Sequence, residues 1–392
     1  MISRNSINGT FPIKRLGAVV EFLDSQRRPV TESDRLAGPY PYYGANGQQG
    51  TISDFIFDEP LVLLAEDGGH FGEPERGIAY RISGKTWVNN HAHVLRPKPS
   101  IELAYLCRVL ENYDVTPFVT GTTRGKLTKA GASEIVIPLP PLLEQRRIAD
   151  VLDRAEALRA KRRAALAELD ELTQSIFLDM FGDPVFSERG WSTQRLETVA
   201  AQEKYSIVDG PFGSSIKPDD YRESGIPVVR ITNITRNGLF QDRNLLFIER
   251  HQFLRLKRSS IRANDVLVSR VGTIGNTCIF PSYVGDALLS TTGVCKITLD
   301  DSKMLPCFLH AALRMPTFQE QIHKSASTSV QKYFNLSALK NWQIVVPPLA
   351  LQREFAARVA AVERVKAAQR ASLVELDELF AALQHRAFRG EL

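Results

Sequence analysis

The chain has 392 residues, which is enough for two or three domains. Its content of 43% hydrophobic and 24% charged residues is that of a folded globular protein and excludes wholesale disorder. Because no run approaches about 18 uncharged apolar residues and the first residues lack an apolar signal core, we expect neither a membrane span nor export. The four cysteines form no CxxC pair, which predicts reduced thiols in a cytoplasmic protein. An excess of 49 basic over 44 acidic side chains permits a nucleic-acid partner without requiring one.

Residues 1–139 predict a β-rich domain. Runs rich in β-branched and aromatic residues, such as 61–64 (LVLL) and 87–88 (WV), are separated by Gly, Asn and Pro. This pattern is typical of short strands joined by turns. The domain opens with 13–16 (IKRL) and ends in the strand-like run 135–137 (IVI).

The stretch 121–127 (GTTRGKL) in this domain is similar to a phosphate-binding P-loop. It has three residues between its glycines instead of four, and Leu follows its Lys, so a nucleotide site is disfavoured. We expect instead a polar turn. The hydroxyls of Thr122 and Thr123, together with Arg124 and Lys126, would face phosphates or base edges of a nucleic acid.

A histidine pair and a carboxylate pair are further candidates. His91 and His93 alternate along a predicted strand, so both imidazoles lie on one face. A metal needs three or four convergent ligands, and no neighbouring pair supplies the others, so structural or DNA-facing histidines are favoured. Glu66 and Asp67 would suit an acid–base group, but the corresponding stretch of the second domain, 269–275 (SRVGTIG), has no carboxylate. A strand-end turn of small residues that approaches a ligand is the simpler interpretation.

Residues 140–184 predict a long helix. No Gly or Pro occurs from 142 to 181, and the helix-ending sequence Gly-Asp-Pro follows at 182–184. The Pro-Pro pair at 140–141 lacks the preceding Asp or Asn and the following aromatic residue of an amino-methyltransferase motif. We therefore expect the pair to stop the last strand and to start the helix.

Residues 185–346 predict a second β-rich domain, and 347–392 repeat the helix. Segment 140–181 matches 347–388 at 17 of 42 positions, with an offset of 207 and no gap. The helix is therefore an internal duplication. Between their similar first and last strands the two β-rich domains share little sequence, so we expect two related but different binding tasks.

Apolar residues recur along both helices in alternating steps of four and three, which indicates the seam of a coiled coil. Polar residues interrupt the seam at equivalent places, Arg159 and Arg162 in the first copy and Lys366 and Gln369 in the second. They either fix the register or reach solvent along their stems, and the second interpretation is favoured. We expect the copies to pack antiparallel within one chain, with a parallel homodimer as the alternative.

The sequence resembles the specificity subunits of type I restriction–modification systems. The resemblance is carried by 87–95 (WVNNHAHVL), 120–128 (TGTTRGKLT), 137–146 (IPLPPLLEQR), 226–234 (IPVVRITNI) and 347–353 (PPLALQR). It covers essentially the whole chain, and the duplication makes it specific. Leu351 stands where the first copy has Glu144, which is one departure between the copies.

The resemblance implies an α+β fold. Two β-rich target recognition domains, 1–139 and 185–346, would be separated by two repeated helical spacers, 140–184 and 347–392. The spacers would form an antiparallel coiled coil with pseudo-two-fold symmetry.

The resemblance also implies a cytoplasmic DNA-binding protein without catalysis of its own, in which each domain reads one half of a bipartite double-stranded DNA site. Two modification subunits, which methylate adenine with S-adenosylmethionine, and restriction subunits, which use ATP and Mg²⁺, would dock on the helices. A nuclease or methyltransferase in its own right would need a cofactor or metal motif, and we find none. A purely structural adaptor would not need two large β-rich domains.

Polar residues in predicted turns and at strand ends are the candidates for DNA contact. In the first domain they are Tyr42, Asn46, His70, His91, Arg124 and Lys126, and in the second they are Lys217, Arg230, Asn233, Arg270, Thr273, Gln331 and Lys332. The candidates for partner docking and for the spacer are Gln145, Arg146, Arg159, Arg162, Leu169, Gln352, Arg353 and Leu376.

Overall fold

The computed structural model describes residues 10–73, 76–121, 124–290, 293–327 and 333–392. The chain divides into two compact units, one of Met1–Ala164 with Arg370–Leu392 and the other of Ala165–Gln369. Each unit contains one β-rich domain and one part of each long helix, because the dividing points lie inside the helices.

The first unit is built from short strands and helices around a buried sheet. Its strands are β1 (Ile13–Arg15), β2 (Val20–Phe22), β3 (Tyr40–Gly44), β4 (Gly47–Ile52), β5 (Phe57–Asp58), β6 (Leu61–Ala65), β7 (Ala79–Ile82), β8 (Lys85–Val88), β9 (Ala92–Pro97), β10 (Val119–Thr120), β11 (Lys126–Leu127) and β12 (Val136–Pro138). Its helices are α1 (Leu16–Val19), α2 (Leu103–Glu111), α3 (Lys129–Ser133) and the first part of α4 (Leu142–Phe181).

Two four-stranded sheets form the β-rich domain of this unit, with strand orders β2-β9-β6-β7 and β4-β3-β8-β5. All five residues of β6 are buried, as expected for a strand with the continuous apolar sequence LVLLA. The first and last strands of the domain, β1 and β12, pair antiparallel. This ladder brings the two ends of the domain together immediately before α4.

The second unit repeats the arrangement. Its strands are β13 (Ser192–Arg195), β14 (Ile207–Asp209), β15 (Ile226–Val229), β16 (Leu246–Ile248), β17 (Ser260–Ile261), β18 (Val266–Ser269), β19 (Thr277–Ile279), β20 (Ala287–Leu289), β21 (Val294–Ile297) and β22 (Gln343–Val346). Its helices are α5 (Leu196–Val199), α6 (Arg250–Arg255), α7 (Pro306–Leu313), α8 (Pro316–Lys324), α9 (Leu336–Asn341) and the first part of α10 (Leu349–Arg389).

Strand order shows that the two β-rich domains are copies of one fold. The sheets of the second unit have the orders β14-β21-β18-β19 and β16-β15-β20-β17, and β13 pairs with β22 as β1 pairs with β12. Within the described ranges, each domain also has one parallel strand pair, β3 with β8 and β15 with β20. The duplication therefore extends to the domains whose sequences share little.

The long helices α4 and α10 pack on each other and run antiparallel. In the first unit, Arg147 near the start of α4 donates to the carbonyl of Leu392, just beyond the end of α10. In the second unit, Phe355 near the start of α10 packs edge-to-face against Phe181 at the end of α4, with 5.4 Å between ring centroids. The expectation of an antiparallel coiled coil within one chain is confirmed.

The polar interruptions of the seam form ion pairs between the helices. In the first unit, Arg159 Nε lies 2.6 Å from Asp377 Oδ1. In the second unit, Lys366 Nζ lies 2.5 Å from Asp170 Oδ1, and Lys366 is only 5% exposed. The favoured expectation that these cations reach solvent is wrong for Arg159 and Lys366, because each finds a carboxylate on the opposite helix. Arg162 and Gln369 are half-buried.

Two equivalent glutamines attach each domain to its helix. Gln145 is fully buried, accepts from the Glu102 N–H at 2.8 Å, and donates to the carbonyls of Ser100 and Pro140. Gln352 makes the same three kinds of bond, with the Leu305 N–H and the carbonyls of Lys303 and Pro347. Assigning these glutamines to partner docking is wrong, because their hydrogen bonds are satisfied inside the unit.

Neither long helix is apolar enough to cross a membrane, and the same holds for every helix in the described ranges.

We predict that Gln145→Ala lowers the free energy of unfolding by about 1–3 kcal/mol, because it leaves a buried N–H and two carbonyls without their partner. Gln352→Ala should have an effect of the same size. The measurement is urea denaturation followed by circular dichroism. The matched control is Arg146→Ala, at the exposed next position, which should change stability by less than about 0.5 kcal/mol. Equal losses in the glutamine and arginine variants would contradict the anchoring role.

Candidate nucleic-acid interface

In the first unit, residues far apart in sequence meet around the loop that follows β6. Asp67 in this loop pairs with two side chains through Oδ1, His91 Nδ1 at 2.5 Å and Arg124 Nη2 at 2.8 Å. Asn46, at the turn between β3 and β4, donates its side-chain amide to the carbonyl of Gly68 at 3.0 Å. We call this set, Asn46, Asp67, His91, Arg124 and Lys126, the first reading surface.

The first reading surface presents two cations to solvent. The side chains of Arg124 and Lys126 are 61% and 49% exposed, while the carboxylates that hold them are largely covered. Gly68 permits this arrangement, since it has a φ of +64° and a Cβ there would lie 2.7 Å from Arg124 Nη2. Exposed cations positioned by buried carboxylates suit contacts with phosphates and base edges.

A charged network lies beneath this surface. Glu66 receives Arg27 Nη1 at 2.6 Å on one oxygen and Lys126 Nζ at 3.1 Å on the other. His93 is buried, with Nδ1 2.7 Å from Asp24 Oδ2 and Nε2 2.8 Å from the carbonyl of Leu127. Of the two interpretations of the His91–His93 pair, a structural role therefore applies to His93.

The carboxylates of this network are held ionised. Burial alone would raise the pKa of Glu66, but the hydrogen bonds from Arg27 and Lys126 outweigh it and lower that pKa below its ordinary value. Burial would also raise the pKa of Asp24, but the hydrogen bond and charge of His93 outweigh it and lower that pKa below its ordinary value. The ligand atoms of Asp24, Glu66 and His93 lie within 4.8 Å of one another, as a metal would require. Arg27 and Lys126 already supply the neutralising charge there, which favours an ion-pair network over a metal.

Two further candidates of the first domain lie elsewhere. Tyr42 is 2% exposed, and its hydroxyl both accepts from the N–H and donates to the carbonyl of Val30 at 3.1 Å. Assigning Tyr42 to DNA contact is therefore wrong, because its polar atom is satisfied in the core. His70 is half-buried, with Nδ1 3.7 Å from Glu73 Oε1. Thr122 and Thr123 lie outside the described residues.

The second unit places an opposite charge at the position of Glu66. The Leu127 N–H donates to the carbonyl of Glu66, and the Phe334 N–H, 207 residues later, donates to the carbonyl of Arg270. Arg270 forms an ion pair with Asp209 and donates Nε to the carbonyl of Phe334 at 3.0 Å. Arg270 is 8% exposed and its ion pair lies inside the domain. Assigning Arg270 to direct DNA contact is therefore wrong.

The same Asp209 connects this buried pair to the surface. Its other oxygen lies 3.1 Å from Nη2 of Arg258, whose side chain is about half exposed. Asp209 thus holds two basic side chains, as Asp67 does in the first unit. Sequence reasoning missed Asp209 and Arg258, and also Asp24 and Arg27, because only long-range contacts reveal their roles.

The remaining candidates of the second domain do not form one group. Asn233 is 1% exposed, accepts from the Arg230 N–H at 2.9 Å and donates to the carbonyl of Gln241, so it shapes a loop and its DNA-contact assignment is wrong. Arg230 is half-buried and donates to the carbonyl of Asn244 at 2.6 Å. Lys217 and Thr273 are exposed. Gln331 and Lys332 lie outside the described residues.

The docking and spacer candidates divide by exposure. Arg146 and Arg353 are exposed, and Leu169 and Leu376 are half-buried. Arg159 is engaged by Asp377 and Glu156, so it is not available as a docking contact.

Sequence reasoning overlooked apolar residues that the long helices expose. They include Leu158 and Leu379 in the first unit and Leu172 and Val365 in the second. These four residues are equivalent in pairs, at an offset of 207.

A family model described as the type I restriction modification DNA specificity domain matches residues 8–168 and, a second time, residues 212–376. A Haemophilus influenzae protein assigned as a type I restriction enzyme specificity subunit is 28% identical, over 87% of this chain and 85% of its own. The Escherichia coli EcoBI specificity subunit is 27% identical over 68% of this chain, which spans 60% of that protein.

Solved structures share the fold. A crystal structure of a type I restriction–modification S subunit from M. genitalium has a TM-score of 0.57 at 14% identity and covers 97% of this chain and 96% of its own. A structure on complex assembly and conformational transition of the type I restriction–modification system has a TM-score of 0.52 at 19% identity, over 98% of this chain and 100% of its own.

We predict that Glu66→Gln destabilises the protein at neutral pH and has less effect in acid. Glu66 has a lowered pKa when folded, so its ionised form stabilises the fold above its ordinary value of 4.5 and this contribution is lost as pH falls through the folded pKa. The measurement is the free energy of unfolding of wild type and variant between neutral pH and about pH 3. The control is Glu73→Gln, because the Glu73 carboxylate is partly exposed and its ion pair with Arg76 is longer, at 3.3 Å. A difference that stays constant across this range would contradict the ionised network.

Proposed function

The chain belongs to the family of type I restriction–modification DNA specificity domains, and we propose that it is the DNA-reading subunit of such a system. Each β-rich domain reads one half of a bipartite double-stranded DNA site. The subunit itself carries out no catalysis and works in the cytoplasm, where its DNA is found.

The observation that carries this proposal is a duplicated scaffold with opposite charges at one equivalent position. Both domains have the same strand order, yet Glu66 in the first is replaced by Arg270 in the second. Both residues are buried and act through exposed cations: Glu66 holds Lys126, whereas Arg270 shares Asp209 with Arg258. Because acceptors and donors on base edges differ between base pairs, different exposed cations on one scaffold favour different sequences. Two domains built in this way suit two different half-sites.

In the first domain, we assign DNA contact to Arg124 and Lys126, with Asn46 and His91 beside them. Both cations are exposed and held in place by Asp67 and Glu66. A cation already positioned loses less side-chain entropy on binding than a free one.

The paired helices set the distance between the half-sites and dock the partner subunits. Two modification subunits, which methylate adenine with S-adenosylmethionine, bind the exposed apolar residues that each unit repeats. These are Leu158 and Leu379 in the first unit and Leu172 and Val365 in the second. Restriction subunits, which use ATP and Mg²⁺, complete the complex. The similarity to a structure concerned with complex assembly supports this arrangement.

We predict that Arg124→Ala, in the complex with its modification partner, weakens binding to the cognate site by about 1–3 kcal/mol, because it removes a side chain that reads a base. The loss of sequence preference should be confined to one half-site, since the second domain is untouched. Fluorescence anisotropy at several salt concentrations, with methylome sequencing of a host that carries the variant, measures both effects.

The control for this experiment is Arg15→Ala. Arg15 is also exposed, and it pairs with Glu134 away from the first reading surface. Unchanged affinity in Arg124→Ala, or relaxed preference in both half-sites, would contradict the proposal.

We also predict that lengthening both helices together widens the gap between the half-sites. Insertions of four residues after Ala164 and after Gln369 leave the ion pairs of each unit in register, and a stutter of four is tolerated in a seven-residue seam. The added length is roughly 6 Å, which corresponds to about one or two base pairs at ~3.4 Å each. Methylation mapping gives the new gap.

The matched control is the insertion after Ala164 alone. It shifts one helix against the other, so it should reduce stability and methylation without creating a new gap. An unchanged gap with full activity in the double insertion would show that the helices do not set the spacing.

A further inference from the structure

A cavity of about 340 Å³ opens in the second unit between α4, α7, α10 and the loop 237–240. One part of its wall is apolar, formed by Leu239, Phe240, Ile279, Met315 and Val359. The other part carries polar and charged side chains from the helices. A site with an apolar wall and a few polar groups is typical of small-molecule binding.

The first unit contains the equivalent groove, with a volume of about 290 Å³. Five positions line both, at an offset of 207: Glu156 and Glu363, Arg159 and Lys366, Asp377 and Asp170, Phe380 and Thr173, Ala381 and Gln174. The duplication therefore allows a comparison of the two sites residue by residue.

One of these five equivalent positions has an aromatic ring in the first unit only. In the first unit, the Phe380 ring is 4% exposed and lies beneath the guanidinium of Arg159, 4.4 Å from ring centroid to Cζ. In the second unit, Thr173 stands in place of Phe380 and Lys366 in place of Arg159. The second unit thus keeps the cation and lacks the ring that packs against it.

The cation Lys366 is not available for a ligand charge, because its ammonium is held by Asp170 and Glu363. Arg314 is different. Its guanidinium donates to the carbonyl of Asn237, and no carboxylate of the described ranges lies within 4 Å of it.

The surroundings of Arg314 disfavour an isolated charge. Burial lowers the pKa of Arg314, against the attraction of the more distant Asp170 and Glu363. Burial and the charge of Arg314 also lower the pKa of His310 to about 4, so the imidazole at this wall is neutral at pH 7. A half-buried cation without a direct ion-pair partner favours an anionic ligand group.

We propose that this cavity binds a small aromatic carboxylate. The ring packs on the apolar wall over Thr173, beside Lys366, as Phe380 packs beside Arg159 in the first unit. The carboxylate accepts hydrogen bonds from Arg314. This site is independent of the DNA-reading function proposed above.

The test uses the full chain and benzoate as the probe, with binding measured by saturation-transfer NMR. Wild type should bind benzoate. Thr173→Phe supplies the missing ring from the chain itself and should abolish binding. Ser175→Phe adds the same ring at a nearby exposed position of the same helix and should leave binding unchanged. Benzoate binding that is absent in wild type, or equal in Thr173→Phe, would overturn the proposal.

Two comparisons separate the ring from the charge. Cyclohexanecarboxylate should bind more weakly than benzoate, and Arg314→Gln should weaken benzoate binding by at least about tenfold, the loss of one hydrogen bond to a charged group. Equal affinities for the two carboxylates would overturn the aromatic preference. Equal affinities of wild type and Arg314→Gln would overturn the role of Arg314.

A further measurement requires no variant. Cys307 lines the cavity and is partly exposed, whereas Cys107, Cys278 and Cys295 are buried. Benzoate should therefore slow the modification of Cys307 by methyl methanethiosulfonate, followed by mass spectrometry, in a concentration-dependent manner. No protection at concentrations that saturate the NMR signal would show that benzoate binds elsewhere.

Discussion

The reciprocal ion pairs between the two helix copies constrain the rest of the structure. Arg159 pairs with Asp377, and Lys366 pairs with Asp170. Lys366 is the copy of Arg159 and Asp377 is the copy of Asp170, both at the offset of 207, so each cation pairs with a carboxylate of the other helix. In a parallel arrangement without offset, Arg159 would face Lys366 and the two cations would repel each other. Polar groups inside a seam are best attested as devices that fix register and orientation. We infer that the pairs select the antiparallel arrangement.

This arrangement determines what surrounds each β-rich domain. Each unit combines one domain with the start of one helix and the end of the other, and a buried glutamine, Gln145 or Gln352, attaches the domain to the helix start. The glutamine bonds only to backbone groups. Backbone groups are present whatever side chains occupy the sequence, so the attachment tolerates divergence of the domain. This explains how one scaffold can carry two domains with little common sequence.

The sequence predicts the helices and their packing well and the reading surface only in part. Absence of Gly and Pro, the apolar seam and the offset of 207 are local or repetitive signals, and the structure confirms what they predict. The docking assignment of Gln145 is wrong because identity between repeats does not distinguish an internal contact from a docking contact. The assignments of Tyr42, Asn233 and Arg270 are wrong because a turn-like segment with polar residues predicts exposure. Their burial depends on chain segments far away in sequence, which no local pattern reveals.

The DNA contact that we propose for Arg124 and Lys126 gives the charged network of the first domain a role, which is to prepare these side chains for binding. Arg124 stands at the surface with Asp67 as its partner, so a phosphate or base acceptor must compete with a carboxylate already present. A weak or misplaced acceptor does not replace that ion pair, whereas a well-placed one does. Discrimination between DNA sequences then arises from the difference in binding free energy between a well-placed acceptor and a misplaced one. Glu66 and Arg27 hold Lys126 and the loop beneath in a fixed geometry, so the energy of a correct contact is not spent on ordering the surface. In the second domain the buried Arg270 stands at the position of Glu66 and shares Asp209 with the half-exposed Arg258, so a different cation is held at that surface.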